Sequence, residues 1–212
     1  MSELRYIVIE GVIGVGKTSL AQLLTERLHG RLVLERPEEN PFLESFYLDP
    51  RRYAFQTQLF FLLSRYRQQQ ELPQPDFFHP ILVADYLFAK DKIFAYITLS
   101  EVELLLYERV WEILEPRIRK PDLVIYLQSS TERLMQNIRL RNRPYESPIS
   151  KEYIRTLNEA YNQFFLHYND TSLLIVNATR LDFVKSREDL ESLTREITRE
   201  RTGKTFYNPG EK

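Results

Sequence analysis

Residues 11–18 read Gly11-Val12-Ile13-Gly14-Val15-Gly16-Lys17-Thr18 and satisfy the pattern G-x-x-x-x-G-K-[ST]. An apolar strand precedes this stretch and an amphipathic helix follows it. The 212-residue chain has only 6 glycines, and half of them lie here. Such glycines let backbone N–H groups surround a phosphate, and the start of a helix attracts negative charge. The stretch therefore predicts a phosphate cradle at a strand-to-helix turn.

The cradle has side chains suited to a nucleoside triphosphate. We expect Lys17 to reach the β- and γ-phosphate oxygens and the Thr18 hydroxyl to bind Mg²⁺. ATP and Mg²⁺ are the expected ligand and cofactor. The motif leaves open which acceptor receives a phosphoryl group.

Four further apolar runs follow the first strand, with helical stretches between them. Both faces of each run are apolar, as in strands of a parallel sheet that is covered on both sides. The sequence therefore predicts an α/β fold of the P-loop NTPase type, a parallel five-stranded sheet with helices on both faces. We expect a single domain over residues 1–202 and a frayed tail over residues 203–212. The predicted strands are Tyr6–Ile9, Leu32–Leu34, Ile81–Ala84, Leu123–Leu127 and Leu173–Val176.

Composition excludes several classes of protein. The chain has no cysteine, which rules out disulfide scaffolds, thiolate metal sites and cysteine nucleophiles. Its formal net charge of −1 argues against nucleic acid as a partner, because neutralising a phosphate backbone needs a basic surface. No apolar run is as long as a membrane span, and no signal peptide is expected. We expect a cytoplasmic protein with no membrane partner.

Two carboxylates are predicted at the carboxyl ends of strands, where parallel α/β sheets bind their ligands. Glu35 follows the second strand, and Asp85 ends the third. Either group is able to accept a proton from an attacking hydroxyl, and Asp85 also suits a carboxylate that holds Mg²⁺ together with Thr18. The sequence does not divide these two roles.

The helix predicted after the second strand carries a face suited to a flat heterocycle. Gln58, Phe61, Leu62 and Arg65 have the spacing i, i+3, i+4, i+7 and therefore share one side. An amide and a guanidinium can bond to the edge of a base while an aromatic ring stacks on its face. The alternative is an ordinary helix on which the aliphatic part of Arg65 packs on the protein and its guanidinium reaches solvent.

A basic segment follows the fourth strand. Arg141 and Arg143 stand at a helix end that Pro144 terminates. Guanidinium groups neutralise charge on a transferring phosphate, so we expect residues 139–149 to form a lid over the nucleotide. A solvated helix end is the alternative. No glycine lies between positions 30 and 203, so we expect the lid to close by rotation at the Pro144 boundary and by arginine rotamers.

Taken in order along the chain, these motifs resemble the deoxynucleoside kinase family over roughly residues 5–183, and its bacterial deoxyguanosine and deoxyadenosine kinase branch in particular. The Tyr-x-x-Pro…Gln…Arg stretch of the family is matched by Tyr47, Pro50, Gln58 and Arg65. Its lid motif R-x-R-x-x-E is matched by Arg141, Arg143 and Glu146.

The resemblance implies roles for several of these residues. Tyr47 and Glu146 would hold the 3′-hydroxyl of the sugar, and Gln58 would pair with the edge of the base. The adenine-side loop would fall near Asp182 and Phe183. The resemblance also implies a homodimer built on helices such as the one that contains Trp111.

One segment departs from many members of the family. They carry Glu-Arg-Ser after the third strand, where this chain reads Asp85-Tyr86-Leu87, so the arginine that usually steadies the acid is absent. The bacterial branch has Asp-Tyr, then a lysine and then Ile-Phe-Ala, which this chain matches. The resemblance implies that Lys90 supplies the missing charge and that Phe94 stacks on the base.

We expect transfer of the γ-phosphoryl group of ATP to the 5′-hydroxyl of a deoxynucleoside, a purine one such as deoxyadenosine or deoxyguanosine, in nucleotide salvage. One rival is a thymidylate-type nucleoside monophosphate kinase, disfavoured because Glu35 would repel an acceptor phosphate. The other is a regulatory P-loop NTPase, in which Gln58 and Arg65 would have no ligand to bind.

The expected catalytic residues are Glu35, Asp85, Lys17, Arg141 and Arg143. The expected ATP-binding residues are Gly11, Gly14, Val15, Gly16, Lys17, Thr18, Ser19, Asn137, Arg141, Asp182 and Phe183. The expected substrate-binding residues are Glu35, Tyr47, Gln58, Arg65, Tyr86, Lys90, Asp91, Phe94 and Glu146.

Overall fold

The computed structural model describes residues 4–209, whose strands form one parallel sheet in the order β2-β3-β1-β4-β5-β6. The strands are β1 Tyr6–Gly11, β2 Arg31–Val33, β3 Leu82–Ala84, β4 Leu123–Gln128, β5 Ser172–Asn177 and β6 Lys204–Tyr207. The predicted α/β class and parallel sheet are confirmed. The predicted number of strands is wrong, because the sheet has six strands and not five.

The additional strand comes from the tail that we expected to be frayed. β6 pairs in parallel with β5, with Tyr207 opposite Val176, and the hydroxyls of Tyr207 and Ser192 lie 2.7 Å apart. The sequence hides this strand because Phe206 is 66% exposed and the segment has no buried apolar face. The frayed-tail prediction is therefore wrong for residues 204–207, and residues 210–212 lie outside the described part.

Helices lie between the strands, as predicted. The α-helices of the described chain are α1 Lys17–Arg27, α2 Leu43–Leu48, α3 Pro50–Gln70, α4 Lys90–Thr98, α5 Glu101–Leu114, α6 Thr131–Arg141, α7 Lys151–His167 and α8 Arg187–Thr198. A capping box, S-x-x-E, begins α5, and in it the Ser100 amide donates to Glu103 at 2.9 Å. The helices α2 and α4 lack a side-chain N-cap, so no capping signal marks them in the sequence.

The core lies on both faces of the central strands. All six residues of β1 are buried, and because successive side chains of a strand point to opposite faces, helices must cover both sides. On α7, the ring of Phe165 stacks on Tyr126 of β4 with centroids 4.1 Å apart. None of the helices in residues 4–209 has the length and apolarity needed to cross a bilayer.

The strand order places the predicted site residues side by side. The strands β2, β3 and β1 are neighbours, and they lead respectively into Glu35, Asp85 and the phosphate-binding loop. In a parallel sheet all three segments leave the same edge. This edge carries the candidate site.

Candidate active site

The loop between β1 and α1 is shaped by glycine and by contact with α6. Gly14 and Gly16 have φ of 88° and 103°, which L-residues rarely adopt. A Cβ on Gly14 would lie 2.8 Å from the Leu134 carbonyl oxygen, so no side chain fits there. Asn137 of α6 donates to the Gly14 carbonyl at 2.8 Å. The helix that leads into the predicted lid therefore packs directly on the phosphate-binding loop.

Lys17 is folded back onto its own loop. Its ammonium donates to the Gly11 carbonyl at 2.7 Å. Burial lowers the pKa of Lys17 to about 8, although the nearby charge of Glu10 opposes this shift. Burial thus destabilises the charged form of Lys17, and the negative charge of a bound phosphate would stabilise it.

Thr18 and Asp85, the two residues expected to hold Mg²⁺, are in direct contact. The Thr18 hydroxyl donates to Asp85 Oδ2 at 2.5 Å, and the Glu35 amide donates to Asp85 Oδ1 at 2.7 Å. Hydroxyl and carboxylate oxygens are the hard ligands that Mg²⁺ prefers. Residues 4–209 contain no group of three or more His, Cys, Asp or Glu that could hold a metal ion. An ion at Thr18 and Asp85 would therefore need phosphate oxygens as further ligands.

Glu35 lies between two cations. Arg65 Nε donates to its Oε1 at 2.8 Å, and Lys90 Nζ donates to its Oε2 at 2.6 Å. Burial by itself would raise the pKa of Glu35, but the charges of Arg65 and Lys90 outweigh burial and hold that pKa below its ordinary value. The carboxylate is therefore ionised at neutral pH. Lys90 supplies positive charge beside Glu35, as predicted from the resemblance.

Two residues predicted to contact the substrate lie elsewhere. Asp91 is fully buried and forms an ion pair with Arg65, so it supports that side chain from outside the cavity described below. Tyr86 is also fully buried, and its hydroxyl accepts a hydrogen bond from Gln69 at 3.3 Å in the core. The structure therefore places neither of these two side chains on the cavity wall.

The other predicted acceptor residues line one cavity of about 230 Å³. It is bounded by the phosphate-binding loop, the ends of β2 and β3, and residues of α2, α3, α4, α7 and the predicted lid. The predicted site residues on its wall are Lys17, Thr18, Glu35, Tyr47, Gln58, Arg65, Asp85, Lys90, Phe94, Arg141, Arg143 and Glu146. The structure thus gathers side chains from distant parts of the sequence.

The cavity also has an aromatic wall that the sequence analysis missed. Its members include Phe46, Tyr145, Tyr153 and Tyr161. The chain has 13 Tyr and 13 Phe, so residue type alone could not single them out. The spacing of Tyr153 and Tyr161 on α7, eight positions apart on one helix face, was the available signal.

Gln58 is a polar group of the cavity with free hydrogen-bonding capacity, as is the Tyr153 hydroxyl. It is only 2% exposed, lines the cavity, and within residues 4–209 no group donates to or accepts from its amide. Buried amides are normally paired. The side chain therefore has a donor and an acceptor available for a ligand in this cavity.

The predicted lid is held by an ion pair within itself. Arg141 donates to both oxygens of Glu146, at 2.7 Å and 2.5 Å, while Arg143 donates to the Tyr145 hydroxyl at 2.8 Å. The helix α6 ends before Pro144, at Asn142, whose φ of 47° is left-handed. Asparagine tolerates this conformation better than other non-glycine residues. Asn142 therefore makes the turn that a glycine usually makes, and the closure of the lid at the Pro144 boundary stays a prediction.

The segment after β5 reaches the phosphate-binding loop through Phe183. This buried ring would lie 3.0 Å from a Cβ on Gly16. Asp182 instead closes a local turn by accepting from the Lys185 amide at 3.1 Å. The roles of Val15, Ser19, Asp182 and Phe183 in nucleotide binding stay predictions.

Known proteins resemble this chain over most of its length. A family model described as "Deoxynucleoside kinase" matches residues 7–201. A "Deoxyguanosine kinase" from Bacillus subtilis (strain 168) is 32% identical over 205 residues, which cover 93% of this chain and 98% of that protein. A "Deoxyadenosine kinase" from Dictyostelium discoideum is 37% identical over 165 residues, 75% of this chain and 66% of that protein. The structure of deoxyadenosine kinase from M. mycoides with bound dATP has a TM-score of 0.77 and 25% identity, and it covers 92% of this chain and 100% of that chain.

Proposed function

Because the chain belongs to the deoxynucleoside kinase family, we propose that it transfers the γ-phosphoryl group of ATP to the 5′-hydroxyl of a purine deoxynucleoside. A bond forms between the 5′-oxygen and the γ-phosphorus, the bond from that phosphorus to the β-bridging oxygen breaks, and the hydroxyl proton leaves. The supporting observation is the cavity in which the ionised Glu35 and the unpaired Gln58 amide lie beside the phosphate-binding loop.

The contacts of the two carboxylates favour different roles. Asp85 is engaged by Thr18 and by the Glu35 amide, which suits a ligand of Mg²⁺. Glu35 stands beside Lys90 and Arg65, and its lowered pKa makes it a weak base. Phosphoryl transfer has a loose transition state and needs little proton removal before the bond to the leaving group breaks. We therefore assign Glu35 to orienting the 5′-hydroxyl and receiving its proton as the new bond forms.

The remaining cations would neutralise phosphate charge. Lys17 would turn from the Gly11 carbonyl towards the β- and γ-phosphates, and Arg141 and Arg143 would approach from the lid. A bidentate guanidinium is well matched to a phosphate. Thr18 and Asp85 would hold Mg²⁺, which when bound withdraws charge from the phosphate oxygens.

The other end of the cavity would hold the nucleoside. Tyr47 and Glu146 would bind the 3′-hydroxyl, Phe94 would stack on the base, and the Gln58 amide would pair with its edge. An amide offers both a donor and an acceptor, so it fits either adenine or guanine. The two named relatives act on purine deoxynucleosides, which supports the purine preference.

The test is a panel of acceptors with γ-labelled ATP and Mg²⁺. We expect label to reach deoxyadenosine or deoxyguanosine faster than deoxycytidine or thymidine, and EDTA to abolish the transfer. Thymidine monophosphate belongs in the panel because it would be the preferred acceptor of a thymidylate-type kinase. A folded sample that labels no nucleoside would contradict the proposal.

We further propose that the enzyme is a cytoplasmic homodimer that associates through α5. This helix exposes the apolar side chains Val102, Leu105, Leu106 and Ile113, each more than half exposed, and large apolar patches mark interfaces. Sedimentation velocity at micromolar concentration should show a dimer that Leu106→Glu dissociates. The control Phe77→Glu, at a side chain that is 93% exposed on another segment, should leave the dimer intact. A wild-type monomer at these concentrations would refute the interface.

A further inference from the structure

Glu10 is a fully buried carboxylate at the end of β1 that the proposed chemistry leaves without a role. Its Oε1 accepts from the Gly11 amide at 2.8 Å and from the Tyr161 hydroxyl at 3.2 Å. Its Oε2 accepts from the Leu87 amide at 2.7 Å. Burying a carboxylate is costly unless it is well hydrogen-bonded. The bond to the Gly11 amide is local, within the end of β1 that enters the phosphate-binding loop, whereas the other two join this end of β1 to the loop after β3 and to α7.

Two of these partners, Gly11 and Leu87, belong to the two segments whose side chains are expected to bind Mg·ATP. Gly11 opens the loop that ends in Lys17 and Thr18, and Leu87 lies two residues after Asp85. The two segments meet again at the 2.5 Å contact between Thr18 and Asp85. One carboxylate therefore fixes both segments close to the point where their side chains must converge.

We propose that Glu10 is a positioning residue that sets the separation of Thr18 and Asp85 and so builds the Mg·ATP site. The inference rests on the proposed function for the meaning of that site. The nucleoside end of the cavity depends less on this bridge. Neither Glu35 nor Gln58 bonds to Glu10, and the bridge reaches the cavity wall through the longer 3.2 Å bond from the Tyr161 hydroxyl. Loss of the bridge should therefore affect the donor nucleotide far more than the acceptor.

The substitution Glu10→Gln separates the bridge from the size of the side chain. The two loop amides bind different oxygens of Glu10, whereas an amide side chain has only one oxygen. Whichever way Gln turns, its NH₂ group meets a backbone N–H. With its oxygen on the Gly11 amide the link to Leu87 is lost, and with its oxygen on the Leu87 amide the local bond that orients the side chain is lost. The variant Glu10→Asp keeps the charge and both oxygens but reaches less far, and it serves as the second variant if Glu10→Gln does not fold.

Asp122→Asn is a matched control, because Asp122 holds backbone amides at the start of β1 from its position just before β4. Asp122 Oδ2 accepts from the Arg5 and Tyr6 amides, both at 2.8 Å, at the opposite end of β1. It is also a carboxylate that anchors backbone amides, but it lies away from the cavity. Any general cost of exchanging a carboxylate for an amide should appear in both variants as a lower Tm.

Mg·ATP affinity is measured by calorimetry, and kcat and both KM values by the labelled-phosphate assay. We expect Glu10→Gln to weaken Mg·ATP binding about 10-fold or more, as residues that orient metal ligands do, and to lower kcat by up to about 10²-fold. The KM for the deoxynucleoside should stay within about twofold, since Glu35 and Gln58 keep their surroundings and an amide oxygen or nitrogen can still bond to the Tyr161 hydroxyl. Asp122→Asn should match the wild type in all three values.

The readouts distinguish the inference from the proposed function. Equal Mg·ATP affinity in folded Glu10→Gln and Asp122→Asn, or an equal rise in both KM values, would overturn the role of Glu10. If the wild type labels no acceptor, the proposed function fails, while the binding measurement still decides whether Glu10 builds the nucleotide site. A Glu10→Asp variant with wild-type affinity would also count against the bridge.

Discussion

Replacing Glu35 by glutamine tests the assignment of the acceptor site most directly. The amide has nearly the same volume, but it cannot take the proton of the 5′-hydroxyl and has no charge to pair with Lys90 and Arg65. Removal of a group that transfers a proton typically costs about 10² to 10⁴ in rate. We expect kcat to fall within that range and the Kd for Mg·ATP to change less than about twofold, because Thr18 and Lys17 are untouched.

The same substitution should lower stability by an amount that follows from the ion pairs. Arg65 keeps Asp91 as a partner, whereas Lys90 is 3% exposed and pairs only with Glu35 in the described part of the chain. Leaving one partner of a buried pair alone costs about 3 kcal/mol at the lower end of the usual range. For a chain of this length that loss lowers Tm by about 6–12 °C.

The loss of stability in Glu35→Gln should depend on pH. The folded-state pKa of Glu35 lies below the ordinary value of 4.5, so its contribution to stability is complete above that value and is lost as pH falls. The stability gap between wild type and Glu35→Gln should therefore be largest at neutral pH and shrink below pH 4.5.

Urea unfolding at neutral and acidic pH, with turnover measured at neutral pH, checks both expectations. Glu39→Gln is the matched control, because Glu39 pairs with Arg36 at 3.1 Å on the surface and should change neither quantity. Wild-type turnover in Glu35→Gln would refute the reasoning and move the proton-accepting role to Asp85. Unchanged stability would show that Lys90 gains nothing from the pair.

Three further changes test the cavity. Lys90→Met removes one of the two cations whose charge opposes the effect of burial on Glu35. The pKa of Glu35 should therefore rise, and the acidic limb of the kcat/KM profile should move to higher pH. An acidic limb at the wild-type pH would contradict the pairing. Because the pKa of Lys17 is lowered to about 8, Mg·ATP affinity should fall above that pH and binding near it should take up protons, which calorimetry in two buffers detects. Gln58→Leu should lower kcat/KM for purine deoxynucleosides by about 10-fold to 10²-fold, the worth of a base-edge pair, with KM for ATP unchanged; a loss equal for all four nucleosides would argue against base recognition.

Local patterns predicted the parts of the molecule that depend on near neighbours in sequence. The phosphate-binding loop follows from eight consecutive residues, and the convergence of Glu35 and Asp85 follows from the rule that parallel strands end at one edge. The partner of Glu35 at Lys90 came from the resemblance, which carries long-range information that spacing alone does not.

The features that the sequence did not predict depend on distant contacts. Glu10 stands at the end of an apolar strand, and only the folded chain brings Leu87 and Tyr161 to it. Tyr86 and Asp91 lie close to Asp85 in sequence. Their positions alone therefore do not show that Asp85 faces the cavity whereas the other two side chains are buried in the core. The strand β6 depends on backbone hydrogen bonds to β5, and its own side-chain pattern does not indicate this pairing.

Under the proposed function, the pairing of Arg141 with Glu146 would link the binding of the two substrates. One guanidinium donates to both oxygens of the carboxylate, so the charge of each side chain is partly neutralised by the other. A nucleoside bound at Glu146 would weaken this ion pair and favour a phosphate at Arg141, and a nucleotide bound at Arg141 would favour a sugar at Glu146. Linkage of this kind is reciprocal, so the factor by which the nucleoside tightens nucleotide binding equals the factor in the opposite direction. Affinity would then be cooperative within a single chain, with no second subunit required.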